Sequence, residues 1–293
     1  MKVLQFVLKN DPLKKPRVGL IIEGEVKKIL DLETVDAKLP NTVIELLKQK
    51  PTFFTDVTGI SLASLEQDDI LLEDVILLPP VSGMDKVVCV GMNYKDHCEE
   101  QNVPVPKEPI FFSKFSSSVV GPNDSIPYPD VTQELDYEVE LAVVIGKKGK
   151  NISRDKALDY VLGYTVAHDV SARDWQLKKN GGQWLIGKTM DAFCPIGPWI
   201  VTKSDIADLY NLGIRCRVNG ETKQDSNTGQ LVHRVENVIE LLSKFVTLLP
   251  GDIILTGTPP GVGVFAKPPF FLKRGDKVEC EIDEIGCIEN KII

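Results

Sequence analysis

The sequence predicts an α+β protein with a strand-rich second part, on two observations. Apolar residues alternate along several stretches in the period-2 pattern of half-buried strands, whereas only a few segments carry the 3.6-residue period of a helix. There is also no internal repeat and no low-complexity tract to suggest a solenoid or a fibre. The 293 residues carry 42 acids against 34 bases, a net charge of −8, with 43% hydrophobic and 26% charged residues. Those proportions belong to a globular protein and exclude wholesale disorder. The acidic balance argues against a nucleic-acid or anionic-membrane partner, and no apolar run approaches the ~18 residues of a membrane span.

Residues 1–80 form a small N-terminal α/β module in this reading. Strands are expected at Val3–Leu8 and Val18–Glu23, followed by a helix at Asn41–Gln49 with Asn41 as its cap. Two prolines and a glycine in 78–85 make a linker, and residues 84–293 follow as a larger domain. There, strands are expected at Val87–Val90 and Leu135–Ile145, and Ser153 is expected to cap a helix to about Val161. Ser171-Ala-Arg-Asp174 resembles a capping box that opens another helix. Val235–Val246 has apolar residues at 235, 238, 239, 242, 245 and 246, one buried helix face. Ile253–Leu255 and the alternating stretch from Lys277 to Ile292 complete the strands.

The chemistry concentrates in a few places. On a strand, Tyr137, Val139, Leu141, Val143 and Ile145 share an apolar face, which puts Glu138 and Glu140 together on the other. Paired carboxylates there repel unless a cation sits between them; a solvated strand surface is the plainer alternative. Asp169 ends the strand-like stretch from Val161 and adds a third carboxylate, or else caps the helix expected after it. Three hard oxygen donors suit Mg²⁺ or Mn²⁺, with Ca²⁺ possible, while three histidines in the whole chain are few for zinc or iron. His97 and Glu100 lie one helical turn apart and can form a hydrogen-bonded dyad, in which the carboxylate makes the imidazole a better base. A surface pair is the competing reading. Lys188, after an apolar run, can hold a substrate carboxylate or transfer a proton, or simply snorkel. Gly261-Val-Gly263-Val-Phe-Ala266 matches a dinucleotide fingerprint only superficially, since Lys267-Pro-Pro cannot open the required helix. The six cysteines include no C-x-x-C pair, which favours a reducing compartment.

Taken in order, Val90-Gly-Met-Asn-Tyr-Lys-Asp-His97, Glu138-Val-Glu140, Asp169-Val-Ser-Ala-Arg173-Asp174, Gly187-Lys188 and Gly251-Asp-Ile-Ile-Leu-Thr-Gly-Thr258-Pro-Pro-Gly-Val-Gly resemble the fumarylacetoacetate hydrolase superfamily. The resemblance covers about residues 84–293. It implies a mixed β-roll with a small N-terminal domain, assembled as a homodimer. It implies Mg²⁺ or Mn²⁺ on Glu138, Glu140 and Asp169. Lys188 then acts in catalysis beside His97 and Glu100, the dyad of a mobile lid, while Arg173, Gln176 and Thr258 contact substrate. Met92 stands where many relatives carry arginine, a departure at the grip on a second carboxylate. The implied substrate is a small anionic 2-oxo dicarboxylic acid that reacts through a metal-stabilised enolate. An oxaloacetate keto–enol tautomerase is the leading expectation, with an acylpyruvate-type C–C hydrolase or an oxaloacetate decarboxylase as alternatives, and a non-catalytic metabolite-binding protein behind them. The resemblance places such a protein in the mitochondrial matrix or the cytoplasm, although the N-terminus shows no targeting pattern.

Overall fold

In the computed structural model, residues 1–22, 24, 27–56 and 70–293 are described; Glu23, the end of one expected strand, lies outside them. A mixed sheet forms the body. Its continuous path runs through strands Ile70–Leu71, Lys28–Asp31, Arg17–Ile22, Lys2–Leu8, Cys194–Thr202, Val161–His168, Val139–Ile145, Ile253–Leu255, Val87–Gly91 and Ile110–Lys114. Lys2 and Val3 pair with Val201 and Ile200, so the N-terminal strands continue the sheet that carries the rest of the chain. A second, four-stranded antiparallel sheet is built from Glu221–Asn227, Gly213–Val218, Lys277–Ile282 and Gly286–Lys291.

The central strand Val139–Ile145 is buried along its whole length. It pairs antiparallel with Val161–His168 on one side and with Ile253–Leu255 on the other. Val139, Leu141, Val143 and Ile145 join the larger core, which also takes in Ile239, Leu242, Val278 and Ile288 from the long helix and the small sheet. Ala142 and Val144 point the opposite way, into a second core with Val3, Leu20, Leu46 and Ile200. Both faces are therefore covered, which explains why the strand is apolar on both sides except at Glu140.

Several expected elements change on folding. The stretch Leu135–Ile145 is not one strand: Leu135–Asp136 pairs with Ser171–Ala172, and the chain breaks at Tyr137 and Glu138 before the central strand begins. Ser171 opens no helix. It lies in that short strand, its hydroxyl donates to the Asp169 carbonyl, and a π-helical turn, Asp174–Lys178, follows Arg173. The segment Arg154–Tyr160 is a 3₁₀ helix. The cap of helix Val43–Gln49 is Thr42 rather than Asn41, because Thr42 Oγ1 accepts from the Glu45 amide. Helix Val235–Phe245 and strand Ile253–Leu255 lie where the periodicity puts them. No helix among the described residues is long and apolar enough to cross a membrane.

Candidate active site

Glu138 occupies the break before the central strand, Glu140 the second position of that strand, and Asp169 the residue after its neighbour ends. The antiparallel register sets Val139 opposite His168 and the Asp169 amide on the Glu138 carbonyl at 2.8 Å, so the three carboxylates converge. One oxygen from each lies within 4.8 Å of the others, and all three side chains are buried. Three buried acids in so small a volume need compensation.

Three cations supply part of it. Lys188 Nζ bridges Glu138 Oε2 at 2.7 Å and Asp169 Oδ2 at 2.9 Å. Arg173 reaches Glu138 Oε1 through Nη2 at 2.6 Å, Asp136 Oδ2 through Nε at 2.8 Å and Gln176 Oε1 through Nη1 at 2.8 Å. Lys114 Nζ lies 2.7 Å from Asp169 Oδ1 and also donates to the carbonyls of Val170, Lys188 and Phe193. Burial pushes the Glu138 carboxyl up, but Lys188 and Arg173 outweigh it and hold it down at about 2. Glu140 goes the other way. Burial, then Asp169 and Glu138, raise it well above the carboxylate range, although the Gly257 amide donates to its Oε2 at 2.6 Å. Burial works against the charge on Lys188, yet Asp169 and Glu138 raise its pKa and keep it an ammonium. An all-carboxylate donor set with one member under uncompensated repulsion fits a hard divalent cation.

The dyad stands on the short helix Lys95–Glu100. His97 Nδ1 lies 2.8 Å from Glu100 Oε2, and the other oxygen of Glu100 accepts from the Gly261 amide at 2.9 Å. Gly261 has φ +102°, and a Cβ there would lie 2.0 Å from the Lys223 carbonyl, so only glycine presents its amide in this way. Gln101 Nε2, one residue beyond the helix, sits 2.8 Å from His97 Nε2 and 3.3 Å from Met92 Sδ. Met92 itself has φ +55° and precedes Asn93, whose side chain ties the loop to Thr256 and His233.

His97, Glu138, Glu140, Arg173, Gln176, Lys188 and Thr258 all line one cavity, together with Gln101 and Met92. Glu100 and Asp169 stand directly behind it, on His97 and Lys188. The Thr258 hydroxyl is already engaged: it donates to the Val139 carbonyl at 2.9 Å and accepts from Gln224 at 2.8 Å. Sequence reasoning missed Lys114, Asp136, Gln101 and Gln224. Gln101 alone left a local signal, four residues after His97 on the same helical face.

The family description "Fumarylacetoacetate (FAA) hydrolase C-terminal" matches residues 86–293. The chain is 55% identical over 293 residues to a Xenopus laevis protein named mitochondrial oxaloacetate tautomerase, covering all of this chain and 90% of that one. Among solved structures, a putative HpcE protein from Mycobacterium smegmatis is 32% identical with a TM-score of 0.86, covering 100% of this chain and 99% of that one. A maleylpyruvate hydrolase from Sphingobium sp. SYK-6, solved with manganese(II) and pyruvate, is 29% identical with a TM-score of 0.79, again covering 100% and 99%.

Proposed function

The chain belongs to the fumarylacetoacetate hydrolase family, and on that premise we propose that it is a metal-dependent oxaloacetate keto–enol tautomerase. The observation that carries the reading is a buried carboxylate triad and a His97–Glu100 pair that present Glu138, Glu140 and His97 to one cavity, in a chain so similar to a named tautomerase. Glu138, Glu140 and Asp169 would hold Mg²⁺, with Mn²⁺ or Ca²⁺ as alternatives. When bound, the cation supplies an electrophile for the C1 carboxylate and C2 oxygen of a 2-oxo acid.

The charges suit an anionic substrate. With all four ionised, Asp136, Glu138, Glu140 and Asp169 exceed Lys114, Lys188 and Arg173 by one negative charge, which a bound divalent cation would convert to one positive. Glu100 accepts the His97 Nδ1 proton and so leaves Nε2 as the basic nitrogen, the group that exchanges a proton with substrate C3. Lys188, held charged by two carboxylates, serves as a donor toward the C2 oxygen rather than as a base. Arg173 braces Glu138 and fixes the Gln176 amide at the wall of the cavity. In ketonisation one proton leaves the C2 hydroxyl and one arrives at C3, so no atom is gained or lost.

Ile110, Leu177 and Ile186 are exposed on segments that wall the cavity, and with exposed Phe115 they offer apolar surface for a second copy in a homodimer. The mitochondrial name of the relative supports a mitochondrial location. The deciding assay follows enol-oxaloacetate absorbance and pyruvate release together, with Mg²⁺ and with EDTA. Fast enol loss without pyruvate, abolished by E138A/E140A, is the expected result. Stoichiometric pyruvate would make the protein a decarboxylase, and unchanged activity in the double variant would remove the triad from the reaction.

A further inference from the structure

The tautomerase reading leaves one end of a four-carbon substrate without a binding group. The cations among the described lining residues, Arg173 and Lys188, are both committed to carboxylates of the site. Much of the remaining wall is apolar, with Val90, Met92, Phe112, Trp184 and Phe265. A second carboxylate entering beside the dyad would meet no free positive charge there.

Gln101 is the donor that stands in that place. Its amide nitrogen rests on two modest acceptors, the Met92 thioether at 3.3 Å and His97 Nε2 at 2.8 Å. A thioether is a weak acceptor, and hydrogen bonds to an ionised acceptor are roughly twice as strong as neutral ones. A carboxylate arriving here therefore outcompetes both. The present arrangement also satisfies the lone pair that the proposed base needs, since Glu100 already holds the opposite ring nitrogen. The other amide of the cavity, Gln176, is anchored to Arg173 through its oxygen and so belongs with the triad.

We infer that the Gln101 amide receives the second carboxylate of a 2-oxo dicarboxylate, and that this exchange of partners uncovers Nε2 of His97. Substrate length then controls the base: a monocarboxylate such as pyruvate leaves the amide on the imidazole. The inference rests on the tautomerase reading but is testable without turnover.

Calorimetric titration of the Mg²⁺-loaded protein with 3,3-difluorooxaloacetate, which has no C3 hydrogen to lose, and with pyruvate separates the two ends. Wild type should prefer the dicarboxylate. In Gln101→Met the dicarboxylate should weaken by about ten-fold or more while pyruvate stays within about two-fold, the size of losing one good polar contact to a charged group. Gln101→Glu should weaken it further through repulsion, and Met92→Arg placed in the Gln101→Met background should restore it. Equal losses for both ligands would reduce Gln101 to a prop for the helix and overturn the inference, as would no loss for either. A wild type that binds both equally also overturns it, whereas failure of the tautomerase reading shows separately, as absent enol turnover in wild type.

Discussion

Lys114→Met should strip Asp169 of its second cation, and the structure sets the size of the effect. The Lys114–Asp169 pair is fully buried, and Nζ additionally serves the carbonyls of Val170, Lys188 and Phe193. Methionine keeps most of the aliphatic stem and removes every donor. Breaking a buried ion pair by deleting one partner costs about 3–5 kcal/mol, and orphaned buried carbonyls add to it without summing fully. A loss near 4 kcal/mol is a large part of the ~5–15 kcal/mol that holds an ordinary domain together. Urea unfolding in EDTA, followed by circular dichroism, reads this directly. The same titration with Mg²⁺ should recover more stability in the variant than in wild type, because a cation re-pairs Asp169 and stabilises by mass action. A loss below about 1 kcal/mol in EDTA would show that the Lys114 contacts contribute no more than a surface pair, and would refute the argument.

Three further outcomes follow from the same charges. Glu140→Gln should leave stability in EDTA unchanged or slightly higher, since it removes the acid that burial, Asp169 and Glu138 destabilise, yet Mn²⁺ binding read by electron paramagnetic resonance should fall by about 100-fold or more; intact binding would exclude Glu140 as a ligand. His168 is fully buried, and burial, then Lys114, lowers its pKa to about 3. The unfolded chain takes up a proton that the folded chain refuses, so between about pH 6.5 and 3 this group subtracts ~1.4 kcal/mol per pH unit as pH falls. His168→Leu should flatten that slope, and identical slopes would refute the assignment. Burial, then Glu281, pushes the exposed Cys287 thiol up to about 11 from 9.0. At pH 8 only about one thiol in a thousand is then the reactive thiolate. Iodoacetamide labelling of its peptide should rise about ten-fold per pH unit to pH 10, and a plateau below pH 9 would contradict this.

How much of the site was legible depended on the range of the signal. His97 with Glu100 is a local, one-turn relation, and the period of two put Glu138 and Glu140 on one side. The strand that carried this second argument is nevertheless interrupted. Asp136, in a different pairing, turns its carboxylate to Arg173 and to the Gly263 and Val264 amides. That break is set by a neighbour 35 residues on, and no local pattern reports it. Lys114 was invisible for the same reason. It lies at the end of strand Ile110–Lys114, and only the three-dimensional arrangement of strands brings that end to Asp169. Ser171 shows the converse error: a residue with good capping chemistry became part of a strand pair because Leu135–Asp136 offered it a ladder.

Lys2 and Val3 pair with Val201 and Ile200, so the start of the chain covers the last part of strand Cys194–Thr202, while Val119 and Val120 cover its beginning at Cys194 and Pro195. Cys194–Thr202 is buried throughout, with Ile196, Ile200 and Val201 among its side chains. Unpaired, such a strand is a template on which another chain can add; Pro195 and Pro198 blunt its first part, while its last residues carry neither charge nor proline. Here the first residues of the chain perform that task from two hundred positions away. Shortening the N-terminus would therefore tell first on self-association, before it told on the carboxylates at the far side of the same strands.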